Sequence, residues 1–355
     1  MSNKDSHVED VTLNITPSKL SPLIQDMYEQ RMPLMIWGSF GIGKSNIVAQ
    51  AARDMGINFV DLRANLKDPV DIGGVPFVVN RSDANPEIAT TRWAASGMFP
   101  VNGIHGEKGI IAIDELPTAA PATQTAFYQV ILDRMVDQTP IDEGWSFICM
   151  GNRATDRAAT YTMPLPLRNR MAHVELMPNT QDWVKWAQGA GISPYVLSYI
   201  RYDDKNLVTE ASEVKDHNAF PTPRTWEFLS NHLNRRPDAL SYNTAAMYIG
   251  TGPAQDFMAF TKYFGTLPDF KDILAKPKST KVPENSPGSV YALCGMLAQR
   301  VDETNFDIVI DYIRRLEPEF QVMVIKDIVP KAPGITGLDS FSAWTDENVD
   351  ALATA

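Results

Sequence analysis

Residues 34–54 read L-M-I-W-G-S-F-G-I-G-K-S-N-I-V-A-Q-A-A-R-D. A short apolar run from Leu34 to Trp37 passes into Gly38 to Ser45, which match G-x-x-x-x-G-K-[ST] in full, and helical character resumes at Asn46. Strand, loop and helix in that order form the context in which such a loop wraps a phosphate. The glycines let the backbone turn so that successive N–H groups converge on one oxygen cluster, and the helix that follows adds the positive end of its dipole. The expected nucleotide-binding set is therefore Gly38, Ser39, Phe40, Gly41, Ile42, Gly43, Lys44, Ser45 and Asn46, with Lys44 reaching the β- and γ-phosphates and the Ser45 hydroxyl ligating Mg²⁺. At average composition a chance match in a chain this long is on the order of 1%, and the correct flanks lower it further.

Working outward, further apolar runs at 58–62, 109–113, 146–150 and 172–176 read as buried strands of a mainly parallel sheet. The run G-I-I-A-I-D-E-L, Gly109 to Leu116, ends in two carboxylates. Burying carboxylates beside an apolar strand is expensive unless they meet a cation or water. Paired with the upstream loop, the strand is expected to deliver Asp114 to the Mg²⁺ shell and Glu115 to the water that attacks a γ-phosphate. The run at 146–150 leads into Gly151-Asn152-Arg153. The Asn152 amide there can orient that water, although a strand-end Asn is also a common turn former. In M-P-L-P-L-R-N-R-M, Arg168 and Arg170 precede another strand. In a ring such arginines can reach a neighbouring subunit's γ-phosphate, and the bland alternative is a pair of surface or interface cations. Arg224 follows Thr222 and Pro223 at the start of a helix, where a cation opposes the dipole unless an anion compensates.

The remaining composition bounds the problem. The chain has 355 residues, 44% of them hydrophobic, and a formal net charge of −11. No basic run is present, which disfavours a nucleic-acid partner. Two cysteines, Cys149 and Cys294, without metal-ligand spacing fit a reducing cytoplasm, and the polar start MSNKDSHVED is not a signal peptide. No apolar run is long enough to span a bilayer. The expected division is an α/β nucleotide-binding domain over 1–177 and an all-helical lid over 178–275. A polar, proline-rich linker is expected over 276–289, then C-terminal helices over 290–330 and a loosely held tail over 331–355. Between the second and third strands lies a stretch read as irregular, 63–106. Within it, Phe77, Trp93 and Phe99 are candidates to face a pore, as is a hairpin over 135–145, with local core the commoner fate of such aromatics.

Taken together these residues resemble the AAA+ ATPases, specifically their MoxR-like branch, over roughly residues 15–275. The phosphate loop, the acidic strand, Asn152, the paired arginines and P-R-T-W-E-F occur in that family's order. D-L-R-A-N-L-K-D-P-V-D-I-G-G-V-P (61–76) and D-W-V-K-W-A…G-I-S-P-Y-V-L-S-Y-I-R-Y also look like its members. The resemblance implies an AAA+ parallel-sheet domain followed by a helical lid, with sensor 1 at Asn152, an arginine finger at Arg168 or Arg170, and sensor 2 at Arg224. It also implies Mg²⁺-dependent ATP hydrolysis in a hexameric ring and a chaperone-like role on protein complexes, often beside a von Willebrand factor A-domain partner. Two other classes are compatible with the same residues: a nucleotide-controlled assembly switch and, against the acidic balance, a nucleic-acid motor. No base-reading motif separates ATP from GTP.

Overall fold

The computed structural model describes residues 13–79, 90–156, 160–214, 218–283 and 286–354. They form two compact units that divide after Pro178.

The first unit is a six-stranded parallel sheet between helices. Its strands are β1 (Leu13–Ile15), β2 (Leu34–Trp37), β3 (Asn58–Arg63), β6 (Lys108–Asp114), β9 (Gly144–Gly151) and β10 (Ala172–Leu176), in the order β1-β10-β2-β9-β6-β3. This is the α/β architecture expected from the apolar runs. The central strands are covered on both faces, which is why they read as continuous hydrophobic stretches instead of alternating ones. Alternate residues serve opposite cores: Ile110 and Ala112 of β6 join Leu34, Ile36 and Val48, whereas Ile111 and Ile113 join Met35, Phe127 and Phe147. The first face is packed by α1 (Pro17–Glu29) and α2 (Lys44–Asp54), the second by α4 (Pro121–Asp133).

Strand β1 has no signal in the sequence, because three residues with Leu13 exposed carry too little pattern. The stretch read as irregular is also more ordered than expected. It holds a short helix, α3 (Pro69–Gly73), and an antiparallel pair, β4 (Val75–Val79) and β5 (Thr90–Ala94). The candidate pore segment thus lies partly in this pair, and its middle, 80–89, is outside the described residues. Phe99 is core, while Phe77 and Trp93 are exposed. The second expected hairpin is a minimal one, β7 (Met135–Val136) against β8 (Thr139–Pro140), and its neighbour Trp145 is fully buried.

The second unit is helical. It comprises α6 (Thr180–Gly189), α7 (Pro194–Tyr202), α8 (Pro223–Arg235), α9 (Tyr242–Ile249), α10 (Thr251–Thr261) and α11 (Phe270–Ala275). It continues with α12 (Pro287–Arg300), α13 (Phe306–Ile313), α14 (Pro318–Ile328), α15 (Asp339–Glu347) and α16 (Val349–Thr354). Asn179 caps α6 by accepting the Asp182 amide at 2.9 Å, and Thr222 and Thr225 form a reciprocal cap on α8 with Pro223 at its first position. Helix α12 belongs to two cores at once: Ala292 packs with Trp226 and Phe257, Leu293 and Leu297 with Val309 and Ile325.

Two segments of this half make contacts that their composition does not show. The segment read as a linker is held down: Arg315 donates to the carbonyls of Pro277 and Thr280 at 2.9 and 2.6 Å, and the Tyr312 hydroxyl donates to that of Lys281 at 2.9 Å. The segment read as a loose tail forms α15 and α16, with Trp344 buried and its indole N–H donated to Gln321 Oε1 at 2.9 Å. One cause accounts for both. The partners come from more than twenty residues away, and local composition does not register them.

Candidate nucleotide site

Three of the strand ends in the first unit bring together residues singled out in the sequence. Strand β2 releases the chain into the phosphate loop, where Gly38, Gly41 and Gly43 have φ of +154°, +73° and +93°. Gly38 is required twice over: a Cβ there would stand 2.9 Å from the Leu176 carbonyl oxygen and 2.8 Å from Ile42 Cδ1. Ile42 is buried against the core under α2, which anchors the loop's middle.

Lys44 opens α2 and is 8% exposed. Its ammonium donates to the carbonyls of Gly38 and Ser39 at 2.7 and 2.9 Å, so it curls back over the loop. It also donates to Asn152 Oδ1 at 3.0 Å. The Asn152 amide nitrogen in turn faces both Glu115 carboxylate oxygens, at 3.4 and 3.5 Å. An asparagine suits this place because its side chain accepts from a cation and donates to an anion at the same time. The Ser45 hydroxyl donates to Asp114 Oδ2 at 2.6 Å. Lys44, Ser45, Asp114, Glu115 and Asn152 therefore form one connected cluster, drawn from the start of α2, the end of β6 and the turns after β6 and β9.

Glu115 lies just beyond β6 with φ +57°, a left-handed conformation that costs a non-glycine residue free energy. Two contacts support it: its amide donates to Asp114 Oδ1 at 2.9 Å, and the Thr118 hydroxyl donates to its carbonyl at 2.9 Å. The turn sends consecutive carboxylates to different tasks, Asp114 toward Ser45 and Glu115 toward Asn152.

The site fits a phosphate-bearing ligand with Mg²⁺. The Ser39 hydroxyl is buried without a hydrogen-bond partner in a loop whose ammonium is already present, which is the pattern of a donor reserved for an anion. Ser45 and Asp114 supply two hard oxygens, and Mg²⁺ commonly takes one or two protein oxygens and completes its shell with water and phosphate.

Arg168 ends α5 (Leu165–Arg168) and is half-buried; Arg170 is exposed in the turn before β10. Arg224 belongs to the second unit, exposed in the first turn of α8. Sequence reasoning missed a set of polar residues on one face of β10. His173 and Glu175 point to the same side as Trp37 of the neighbouring strand. The Trp37 indole donates to His173 Nδ1 at 3.1 Å, and Glu175 accepts from Arg153 at 2.8 Å. Arg153 also forms paired bonds to Asp156. Burial pulls its guanidinium downward, but the bonds to Asp156 and Glu175 outweigh that and hold it above the ordinary arginine range. Trp37, Asn152, Arg153, His173 and Glu175 line an open cavity of about 1010 Å³. The signal available was the alternation H-V-E in a strand otherwise apolar.

No family model matches the chain, and no protein with a curated description does. Among solved structures it is similar to RuvB of Thermotoga maritima, a Holliday junction branch migration motor, at 14% identity over 74% of this chain and 75% of that one, with a TM-score of 0.36. It is also similar to NtrX of Brucella abortus in complex with ADP, at 14% identity over 94% of this chain and 68% of that one, with a TM-score of 0.37. Likenesses this distant carry no weight for function. The fold stands on the chain's own sheet order and the site on its own contacts.

Proposed function

We propose that this chain is an AAA+ ATPase of the MoxR-like kind, which forms a ring and hydrolyses ATP at subunit interfaces to remodel or activate a protein client. The observation that carries the reading is the joined cluster in which Ser45 meets Asp114 at 2.6 Å while Asn152 bridges Lys44 and Glu115. A glycine-rich loop alone holds phosphate. A carboxylate beside it, held by an amide and not neutralised by a direct cation contact in that cluster, adds a base for water.

In this mechanism the loop amides and Lys44 bind the β- and γ-phosphates of ATP, exchanging the Gly38 and Ser39 carbonyls for phosphate oxygens. Ser45 and Asp114 would hold Mg²⁺, which when bound supplies neutralisation of charge on the phosphates. Glu115 accepts a hydrogen bond from the attacking water and takes its proton as the new P–O bond forms and the γ-phosphoryl leaves ADP. Asn152 fixes the direction of Glu115 and, by sharing Lys44 with the phosphates, reports whether they are present. Arg168 or Arg170 of an adjacent subunit stabilises the transition-state charge, and Arg224 takes the sensor 2 role that the family resemblance implies. The client is a protein complex, with a von Willebrand factor A-domain protein as the partner type that the family resemblance favours. A hexamer and a cytoplasmic setting accompany the same reading.

Hydrolysis at subunit interfaces makes activity depend on assembly. The ATPase rate per subunit is expected to rise with protein concentration in parallel with ring mass measured by light scattering. A constant rate per subunit down to concentrations where only single chains remain would remove the interface from the reaction.

A further inference from the structure

Trp37 is the last residue of β2 and directly precedes Gly38 of the phosphate loop. Its indole nitrogen can only donate, so the bond of 3.1 Å to His173 makes Nδ1 of that ring the acceptor. The ring proton of the neutral imidazole then sits on Nε2, which donates to the Arg168 carbonyl at 2.7 Å. That carbonyl ends α5, where helical partners run out; the Met171 amide approaches it at 3.4 Å. The indole and imidazole are also near-parallel, with planes 14° apart and centroids at 6.2 Å. One histidine thus spends both nitrogens on two segments: the strand that feeds the phosphate loop and the turn that carries Arg168 and Arg170.

A second tether runs beside it. Arg153, next to Asn152, binds Glu175 two residues farther along β10 on the same face. The ends of β2 and β9, which present the loop and Asn152, are each tied to the strand that leads out of the arginine turn.

We propose that His173 is a positioning residue that sets the arginine turn against the strand bearing the phosphate loop, so that the placement of a subunit's arginine in its neighbour's site depends on its own loop. This rests on the finger role given above to Arg168 or Arg170. A purely packing residue would need the ring's shape; a positioning residue needs above all the Nε2 bond that holds the arginine turn, because the backbone already pairs β10 with β2.

Substitution separates the bonds. In His173→Gln the side-chain amide reaches the ε position and keeps the donation to the Arg168 carbonyl. In His173→Asn only the acceptor toward Trp37 survives. With assembled protein and Mg-ATP, His173→Ala and His173→Asn are expected to lose roughly tenfold or more in kcat. Their KM for ATP should stay within about twofold, because each subunit's own loop binds the nucleotide. His173→Gln is expected to recover most of kcat. Mixing gives the decisive readout. Glu115→Gln subunits hydrolyse poorly but present a normal arginine, so rings mixed from Glu115→Gln and His173→Asn should turn over faster than either variant alone. Equal losses in Gln and Asn, a KM that rises with the fall in kcat, or no gain on mixing would each overturn the proposal. If His173→Ala does not assemble, the Gln and Asn pair decides. Absence of turnover by the wild-type protein would instead remove the ATPase reading, and this inference with it; an active wild type with no gain on mixing removes the inference alone.

Discussion

Residues 13–178 and 179–354 make units of similar size that use polar groups in opposite ways. In the first, a buried parallel sheet keeps charge out of its interior and places Asp114, Glu115 and Asn152 where strands end and the backbone turns. In the second, charge is placed inside: Arg201 of α7 and Asp327 of α14 are 8% and 2% exposed and share two hydrogen bonds, with Gln188 of α6 donating to the same carboxylate at 2.6 Å. Charge at a strand end remains free to meet a ligand. Charge buried between helices has met its partner already, and its work is to join α6 and α7 to the C-terminal helices.

That contrast can be broken at several points. The largest effect is expected from Asp327→Ala, which leaves the Arg201 guanidinium buried without its partner and should cost about 3–5 kcal/mol. Hydrogen exchange in the full chain should then show α7 and α14 losing protection while the sheet keeps its own; uniform loss across both units would deny their separate cooperativity. Lys44→Ala should leave the fold intact and reduce hydrolysis by a factor on the order of 10²–10³, as for loss of one preorganised donor to transition-state charge. Steady-state rates alongside thermal unfolding check both halves of that statement. A smaller loss, about tenfold to a hundredfold, is expected in Asn152→Asp, where a second carboxylate faces Glu115 and favours its protonation. Asn152→Ala removes the bridge without adding charge and should be the milder of the two, most visibly at low pH. The smallest effect is an absence. Burial pushes the thiols of Cys149 and Cys294 up to about 12, so neither should react with a thiol reagent at pH 8 until denaturant is added. Rapid labelling of either in native protein would show that its unit opens.

The difference between the units also explains what could be read from residues alone. The phosphate loop was legible because its constraints are local: glycines at positive φ, a lysine and a serine at fixed spacing, a strand before and a helix after. Asp114, Glu115 and Asn152 were legible because each follows an apolar run directly. His173, Glu175 and Arg153 were not, since their meaning lies in strand neighbours more than twenty residues away or in the order of the sheet. The same distance hid the second unit's plan. Arg201 and Asp327 are separated by 126 positions, and nothing near either predicts the other. Pro277, Thr280 and Lys281 lie in a stretch with the composition of a linker and Trp344 in one with that of a tail, yet Arg315, Tyr312 and Gln321 bond to them.

Glu115 is proposed to convert a phosphate-holding loop into a hydrolytic site. The most direct measurement compares wild type and Glu115→Gln under the same conditions, with binding of a fluorescent ATP analogue and release of phosphate from Mg-ATP followed in parallel. Equal binding is expected, with a hydrolysis rate lower by a factor on the order of 10²–10⁴ in the variant. Equal hydrolysis by the two proteins, or a wild type that binds ATP and releases no phosphate when assembled, would contradict it.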